Sequence, residues 1–319
     1  MFDQILAPLD GSSLAECVLP HLISLAEAYD AEITLVQVLE CPEATTYESV
    51  DPLHWAMCKA EAEAYLDQIC DRLEEAGIRE AKKVVLEGQP ADRTVEFVQS
   101  NDVDLVVLSS HGKSGLSRWN VSSVVRKVVQ RANCSTMIVR AYKTAEFESL
   151  EGFHYKRLLV PLDGSQRAEC ALSTAVTLTR LHEAQLILGH VIDRPEMPRQ
   201  VRLTNEDYDL QERFVERNKE LSHKYFDQLQ ARLSVEFEPL LRVNDDISAT
   251  MHKIAEEEEV DLVVLCAHGH SGKTKWPFGS LTTSFIEYGT TPLLMIQDLG
   301  QEEVEPTEAE LAAEETKGH

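Results

Sequence analysis

Two loops in this chain have residue types and spacing suited to holding an anion. One follows the apolar run 260–265 and places Cys266, His268, Gly269 and then Gly279-Ser280 ahead of an amphipathic stretch, 281–288. Glycines leave backbone N–H groups bare, and a serine beside a helix start adds a hydroxyl to the positive end of the helix dipole. Phosphate is the anion such a site takes most readily. The other loop, Pro-Leu-Asp-Gly-Ser, occurs at residues 8–12 and again at 161–165. Its carboxylates, Asp10 and Asp163, are suited to a polar base or ribose hydroxyls. They serve equally well as the cap of a strand-to-helix turn.

Other reactive types read less sharply. His268 and His270 form an HxH pair that would bind a metal if a third ligand converged, and none is evident in sequence. A loop-shaping or ligand-facing role is expected for His268 and for its counterpart His111, and His190 reads as a satisfied sheet-end histidine. Cys266 would be a reactive thiol in an electropositive crevice and a small buried hydrophobe otherwise. Lys273 and Lys275, or Lys113 and Arg118, offer cations to phosphate; each also reads as ordinary solvated surface. Trp119 and Trp276 read as packing over their loops or against another subunit. No GxSxG elbow, Walker A sequence or HExxH is present.

The elements that must position these residues come twice. After each Pro-Leu-Asp-Gly-Ser there follows a helical pattern (Leu14, Val18, Leu22, Leu25, Ala26; then Ala168, Leu172, Ala175, Leu178) and an apolar strand, 33–38 or 186–191. Long charged helices are predicted over 53–76 and 206–233, third strands at 83–86 and 235–241, and short helices at 91–99 and 247–258. The run 103–108, leading into Ser109, His111 and Gly112, repeats 260–269 almost position for position, and fifth strands fall at 135–139 and 292–296. Strand and helix alternate throughout, which predicts parallel α/β sheets with right-handed crossovers. In such sheets ligands sit beyond the strand carboxyl ends, where strand order reverses. If the first and fourth strands are neighbours there, both loops face one crevice. We divide the chain into domains at 1–143 and 154–298, with an acidic tail at 299–319.

Composition narrows the partners. The 319 residues carry a formal net charge of −25, which excludes a nucleic-acid backbone as a general partner, so any anion must be held locally. No apolar run has the length to cross a membrane, and the start, Met1-Phe2-Asp3-Gln4, lacks the features of a secretory signal; a cytoplasmic protein is expected. Seven scattered cysteines suggest neither a disulfide framework nor a zinc site.

The repeat and its loops resemble those of the universal stress proteins, two copies of which would cover nearly all of residues 1–298. Nucleotide-binding members of that family share G-x2-G-x9-G-[ST]. The second copy offers Cys266, Gly269, Gly279 and Ser280 in that frame; the first offers Ser109, Gly112, Ser122 and Ser123. The resemblance implies two Rossmann-like domains of the adenine nucleotide alpha hydrolase type, each with a five-stranded parallel sheet flanked by helices. It also implies ATP or a related adenine nucleotide as a regulatory ligand; if ATP binds, Mg2+ bridging its phosphates is expected, because that ion keeps waters and borrows substrate oxygens. The implied lining is Pro161, Leu162, Asp163, Val191, Cys266, His268, Gly269, Gly279, Ser280 and Leu281. In the first copy it is Asp10, Val38, Gly112, Ser122 and Ser123. Gly279 adds no bulk where Ser122 does, so the second copy is expected to be the better site. An internal pseudo-dimer through the fifth strands is implied as well, with homodimerisation as the habit of single-domain members. Nothing requires catalysis. The alternative is an interaction scaffold of the same class with empty crevices.

Overall fold

The computed structural model describes residues 2–40, 52–79, 81–113, 121–141, 150, 152–195, 204–269 and 278–298. His270, Lys273, Lys275, Trp276, Arg118, Trp119 and the acidic tail lie outside them. In chain order the elements are β1 (Gln4–Pro8), a 3-10 turn (Ala15–Val18), α1 (Leu19–Tyr29), β2 (Glu32–Leu39), α2 (Pro52–Glu75), β3 (Ala81–Glu87), α3 (Pro90–Ser100), β4 (Leu105–Ser109), α4 (Ser123–Arg131) and β5 (Ser135–Val139). The second copy supplies β6 (Arg157–Pro161), α5 (Cys170–His182), β7 (Gln185–Ile192), α6 (Asn205–Arg232), β8 (Phe237–Val243), α7 (Ile247–Glu257), β9 (Leu262–Cys266), α8 (Ser280–Tyr288) and β10 (Leu293–Ile296).

The chain forms two compact units, Met1–His154 with Ile286–His319, and Tyr155–Phe285. In the first unit the strands run in the order β3-β2-β1-β4-β5, all parallel. β1 therefore lies between β2 and β4, and strand order reverses at β1/β4. β10 pairs antiparallel with β5, Leu293 opposite Ile138 and Leu294 opposite Met137, which is why it groups with this unit. The second unit repeats the pattern as β8-β7-β6-β9, parallel throughout, with the reversal at β6/β9.

Continuous apolar runs become the strands because both faces are covered. Leu6, Val106 and Val107 in one unit, and Leu159, Val263 and Val264 in the other, are fully buried. The long helices present a narrow stripe inward, Ala62, Leu66, Ile69 and Leu73 on α2, with the remainder solvated. α6 opens with a capping box in which Thr204 and Asp207 satisfy each other's backbone N–H. The first helical pattern is not one helix. Pro20 has no N–H to donate to the Glu16 carbonyl, so Leu19 donates there instead, closing a 3-10 turn before α1 begins. In the second copy Ser173 stands at the place of Pro20, and α5 runs unbroken from Cys170.

Candidate functional site

Each Pro-Leu-Asp-Gly-Ser turn is shaped by its glycine. Gly11 and Gly164 have φ of +79° and +81°, a conformation that L side chains rarely adopt. The turn brings the aspartate back over its own loop: Ser12 N–H and Oγ–H donate to Asp10 Oδ1 at 2.9 and 2.5 Å, and Ser165 N–H donates to Asp163 Oδ1 at 2.9 Å. The other oxygen of Asp10 accepts from Lys113 N–H at 2.7 Å and so ties the first loop to the one after β4. The close approach of the aspartate explains Gly112 and Gly269. A Cβ on Gly112 would lie 1.9 Å from Asp10 Oδ2, and one on Gly269 would lie 2.5 Å from Asp163 Oδ2. The aspartates thus serve as turn caps and also place a carboxylate at the reversal point of each sheet.

The helix starts beyond the loops are built alike but finished differently. Ser122 N–H donates to Ser110 O at 3.0 Å, and Gly279 N–H to Ala267 O at 2.9 Å, the same bridge in both copies. Ser122 caps α4, its hydroxyl accepting from Val125 N–H at 3.2 Å. Gly279 has no side chain with which to do this for α8, whose first residue is the exposed Ser280. Neither Gly279 nor Gly269 has a positive φ; close approach of Asp163 requires glycine at 269, whereas a Cβ on Gly279 would meet nothing nearer than 3.7 Å within the protein. At the first position of the frame, Ser109 and Cys266 end β4 and β9 in extended conformation and leave the loop backbone undistorted. Ser109 Oγ stands 2.7 Å from His111 O and 3.0 Å from Leu14 O.

The sequence-predicted residues converge in space. Pro161, Leu162, Asp163, Val191, Cys266, His268, Gly269, Gly279, Ser280 and Leu281 all line one cavity of 170 Å³ in the second unit. A second cavity of 580 Å³ under α6 shares Asp163 and Val191 with it. In the first unit Asp10, Val38, Gly112, Ser122 and Ser123 line a cavity of 470 Å³. Lys113 also lines it; its Nζ would lie 3.5 Å from a Cβ on Gly11, so this cation stands at the crevice mouth. Gln37 is in the same wall, and its buried Oε1 has no hydrogen-bond partner among the described residues, an acceptor that a ligand amine would satisfy. Sequence reasoning missed Ala168, Met251 and Thr282 in the second crevice. Met251 was within reach of it, because Thr250, Met251, Ile254 and Ala255 form the buried stripe of α7.

The histidines are held by the fold. His111 is buried with Nδ1 3.0 Å from Ser110 Oγ, and burial, with the Arg140 guanidinium second, pushes its pKa below the ordinary value. His268 is equally buried and lines the second crevice. His190 Nδ1 donates to Leu162 O at 2.7 Å, the satisfied sheet-end role expected of it. Among the described residues no group of three or more His, Cys, Asp or Glu side chains is placed to hold a metal ion. Nor is any helix among them long and apolar enough to cross a membrane.

Parallel sheets that reverse between the first and fourth strands, each with a glycine-bearing loop and an aspartate at the reversal, define a repeated Rossmann-like α/β fold. Comparison with known proteins identifies the class: a model of the universal stress protein family matches residues 1–140 and again 154–297, and the chain belongs to that family as a tandem member. Universal stress protein MJ0531 of Methanocaldococcus jannaschii is 30% identical over 149 residues, 45% of this chain and 85% of that protein. Universal stress protein YxiE of Bacillus subtilis is 28% identical over 149 residues, 44% of this chain and 100% of its own. Among solved structures, a universal stress protein from Archaeoglobus fulgidus aligns over 92% of this chain and 98% of its own with a TM-score of 0.63 at 18% identity, a likeness of fold.

Proposed function

We propose that this tandem universal stress protein binds ATP or a related adenine nucleotide as a regulatory ligand, with the phosphates held mainly in the second copy. One observation carries the reading: Gly279, at the place of the capping Ser122, has no side chain to cap the first amides of α8, and it lies beside Gly269 and the Asp163 carboxylate in a cavity lined by all ten expected residues. Bare amides at a helix start suit a polyphosphate, and in α4 the Ser122 hydroxyl already takes one of them. The first crevice contributes in other ways, through its 470 Å³, the Lys113 ammonium and the unsatisfied Gln37 oxygen. Its size falls within the usual span for small-molecule sites, roughly 300–1,000 Å³. Asp10 and Asp163, with Val38 and Val191, would meet the base and ribose. Mg2+ belongs to this reading as an ion carried on phosphate oxygens and water.

The ligand acts through shape or assembly and needs no catalytic residue. Pairing of β5 with β10 supports joining of the copies through their fifth strands as an internal pseudo-dimer. Homodimerisation of the chain and a cytoplasmic location complete the proposal.

Native mass spectrometry of the purified protein, followed by calorimetric titration with ATP, tests the ligand. Bound nucleotide is expected, and Gly279→Ala should weaken it about tenfold, ~1.4 kcal/mol. The added Cβ would meet nothing nearer than 3.7 Å within the protein, so a weakened complex would report on the ligand and not on misfolding. A flat titration with no retained nucleotide would favour the scaffold reading.

A further inference from the structure

The nucleotide reading gives Cys266 a place in the crevice wall but no chemistry, and gives Cys170 no role. Cys170 opens α5 and Cys266 closes β9, and their sulfurs stand 2.7 Å apart, 96 residues distant in sequence. That is roughly 0.7 Å longer than a disulfide bond. Neither cysteine is in a disulfide; Cys266 is buried in the crevice wall and Cys170 is half-buried. We propose that Cys170 and Cys266 are a dithiol modification site, which a peroxide oxidises to a disulfide joining α5 to the end of β9.

The chemistry balances. The Cys170 sulfur attacks one peroxide oxygen, the O–O bond breaks, and the other oxygen leaves with the thiol proton as water, giving a sulfenic acid. Cys266 sulfur then attacks Cys170 Sγ; the S–S bond forms, the S–O bond breaks, and the hydroxyl leaves with the Cys266 proton as a second water. Two thiols lose two protons and two electrons, and the peroxide is reduced to two waters. A small-molecule dithiol reverses the bond by exchange.

The first copy is a built-in control. Its equivalents are Cys17 and Ser109, 3.3 Å apart, where an oxygen replaces one sulfur and no such bond can form. Burial pushes the Cys17 thiol up to about 12, which keeps it protonated and unreactive. The bond is read by peptide mapping of the nucleotide-free protein, so its failure and the failure of the nucleotide reading are distinguishable.

Hydrogen peroxide is added to the full-length protein, remaining thiols are alkylated under denaturing conditions, and peptides are mapped without reduction. The expected result is a linked pair of peptides bearing Cys170 and Cys266, lost on treatment with dithiothreitol, with Cys17 recovered as its alkylated thiol. Cys266→Ser, which copies the Ser109 of the folded first unit, should abolish the link and leave Cys170 at the sulfenic or a higher oxidation level. Recovery of both cysteines alkylated, or of Cys170 over-oxidised beside an intact Cys266 in the unsubstituted protein, would overturn the proposal.

Discussion

His111 shows how the fold sets the chemistry of a single side chain. Buried against Ser110 and near the Arg140 guanidinium, it is held neutral, with a pKa below its ordinary value. Unfolding releases it to about 6.5. Between the two values the unfolded chain binds the proton and the folded one does not, so stability falls as pH drops through about 6.5 and is restored above it. Thermal denaturation followed by circular dichroism should therefore show a midpoint that decreases from pH 7.5 to pH 5.5. His111→Gln, which keeps a polar group near Ser110 and removes the titration, should flatten that dependence. An unchanged slope in the variant would assign the effect to other groups.

The Pro-Leu-Asp-Gly-Ser turn continues further than its motif suggests, into Ala-Glu-Cys in both copies. Glu16 pairs with Arg72 at 2.5 Å and Glu169 with Arg232 at 2.6 Å, each holding the long second helix of its copy. The following cysteine faces the end of the fourth strand. Both roles were implicit in the repetition, but which residue each side chain meets is a matter of tertiary contact, which short-range patterning does not contain.

Among the elements, the ends of α4 and α8 differ by one residue at the cap. Ser122→Gly would make the first copy's helix start resemble the second, freeing Val125 N–H at a stability cost of a few tenths of a kcal/mol. Nucleotide affinity at the first crevice should rise, which titration of ATP against a Gly279→Ala background would isolate. No gain would mean that the cap does not limit phosphate binding. Element boundaries were largely legible in sequence: α7 was expected over 247–258 and lies at Ile247–Glu257, and β5 lies at Ser135–Val139 as expected. Strong periodicity and turn residues account for that agreement. The break between the 3-10 turn and α1 was missed because the apolar spacing runs smoothly across Pro20, and only the absent N–H interrupts the hydrogen bonding. At the site, the crevice residues quoted from the two motifs came together. Ala168, Met251 and Thr282 come from parts of the chain outside those motifs, so only the packing of α5, α7 and α8 around the β6/β9 reversal reveals them.

For the molecule as a whole, charge is the dominant long-range term. A formal net charge of −25 on 319 residues makes the folded state repel itself, and salt screens that repulsion. Raising sodium chloride from about 10 to 150 mM shortens the Debye length from roughly 30 to 8 Å. The thermal midpoint should rise over that range, which a series of calorimetric scans would check; a fall would mean that specific ion pairs outweigh the general repulsion. Against that acidity, the proposed nucleotide would have to be held by the local arrangement of amides, Lys113 and helix starts.

The pairing of β10 with β5 has a consequence for biosynthesis. β5 leaves the ribosome early, yet its antiparallel partner is translated roughly 150 residues later, after the entire second unit. Through that interval a nascent chain exposes an apolar ladder, Ser135–Val139, with unpaired backbone groups on one side. Co-translational folding of this unit thus stays incomplete until β10 has been translated, and this interval is where chaperones would be needed most.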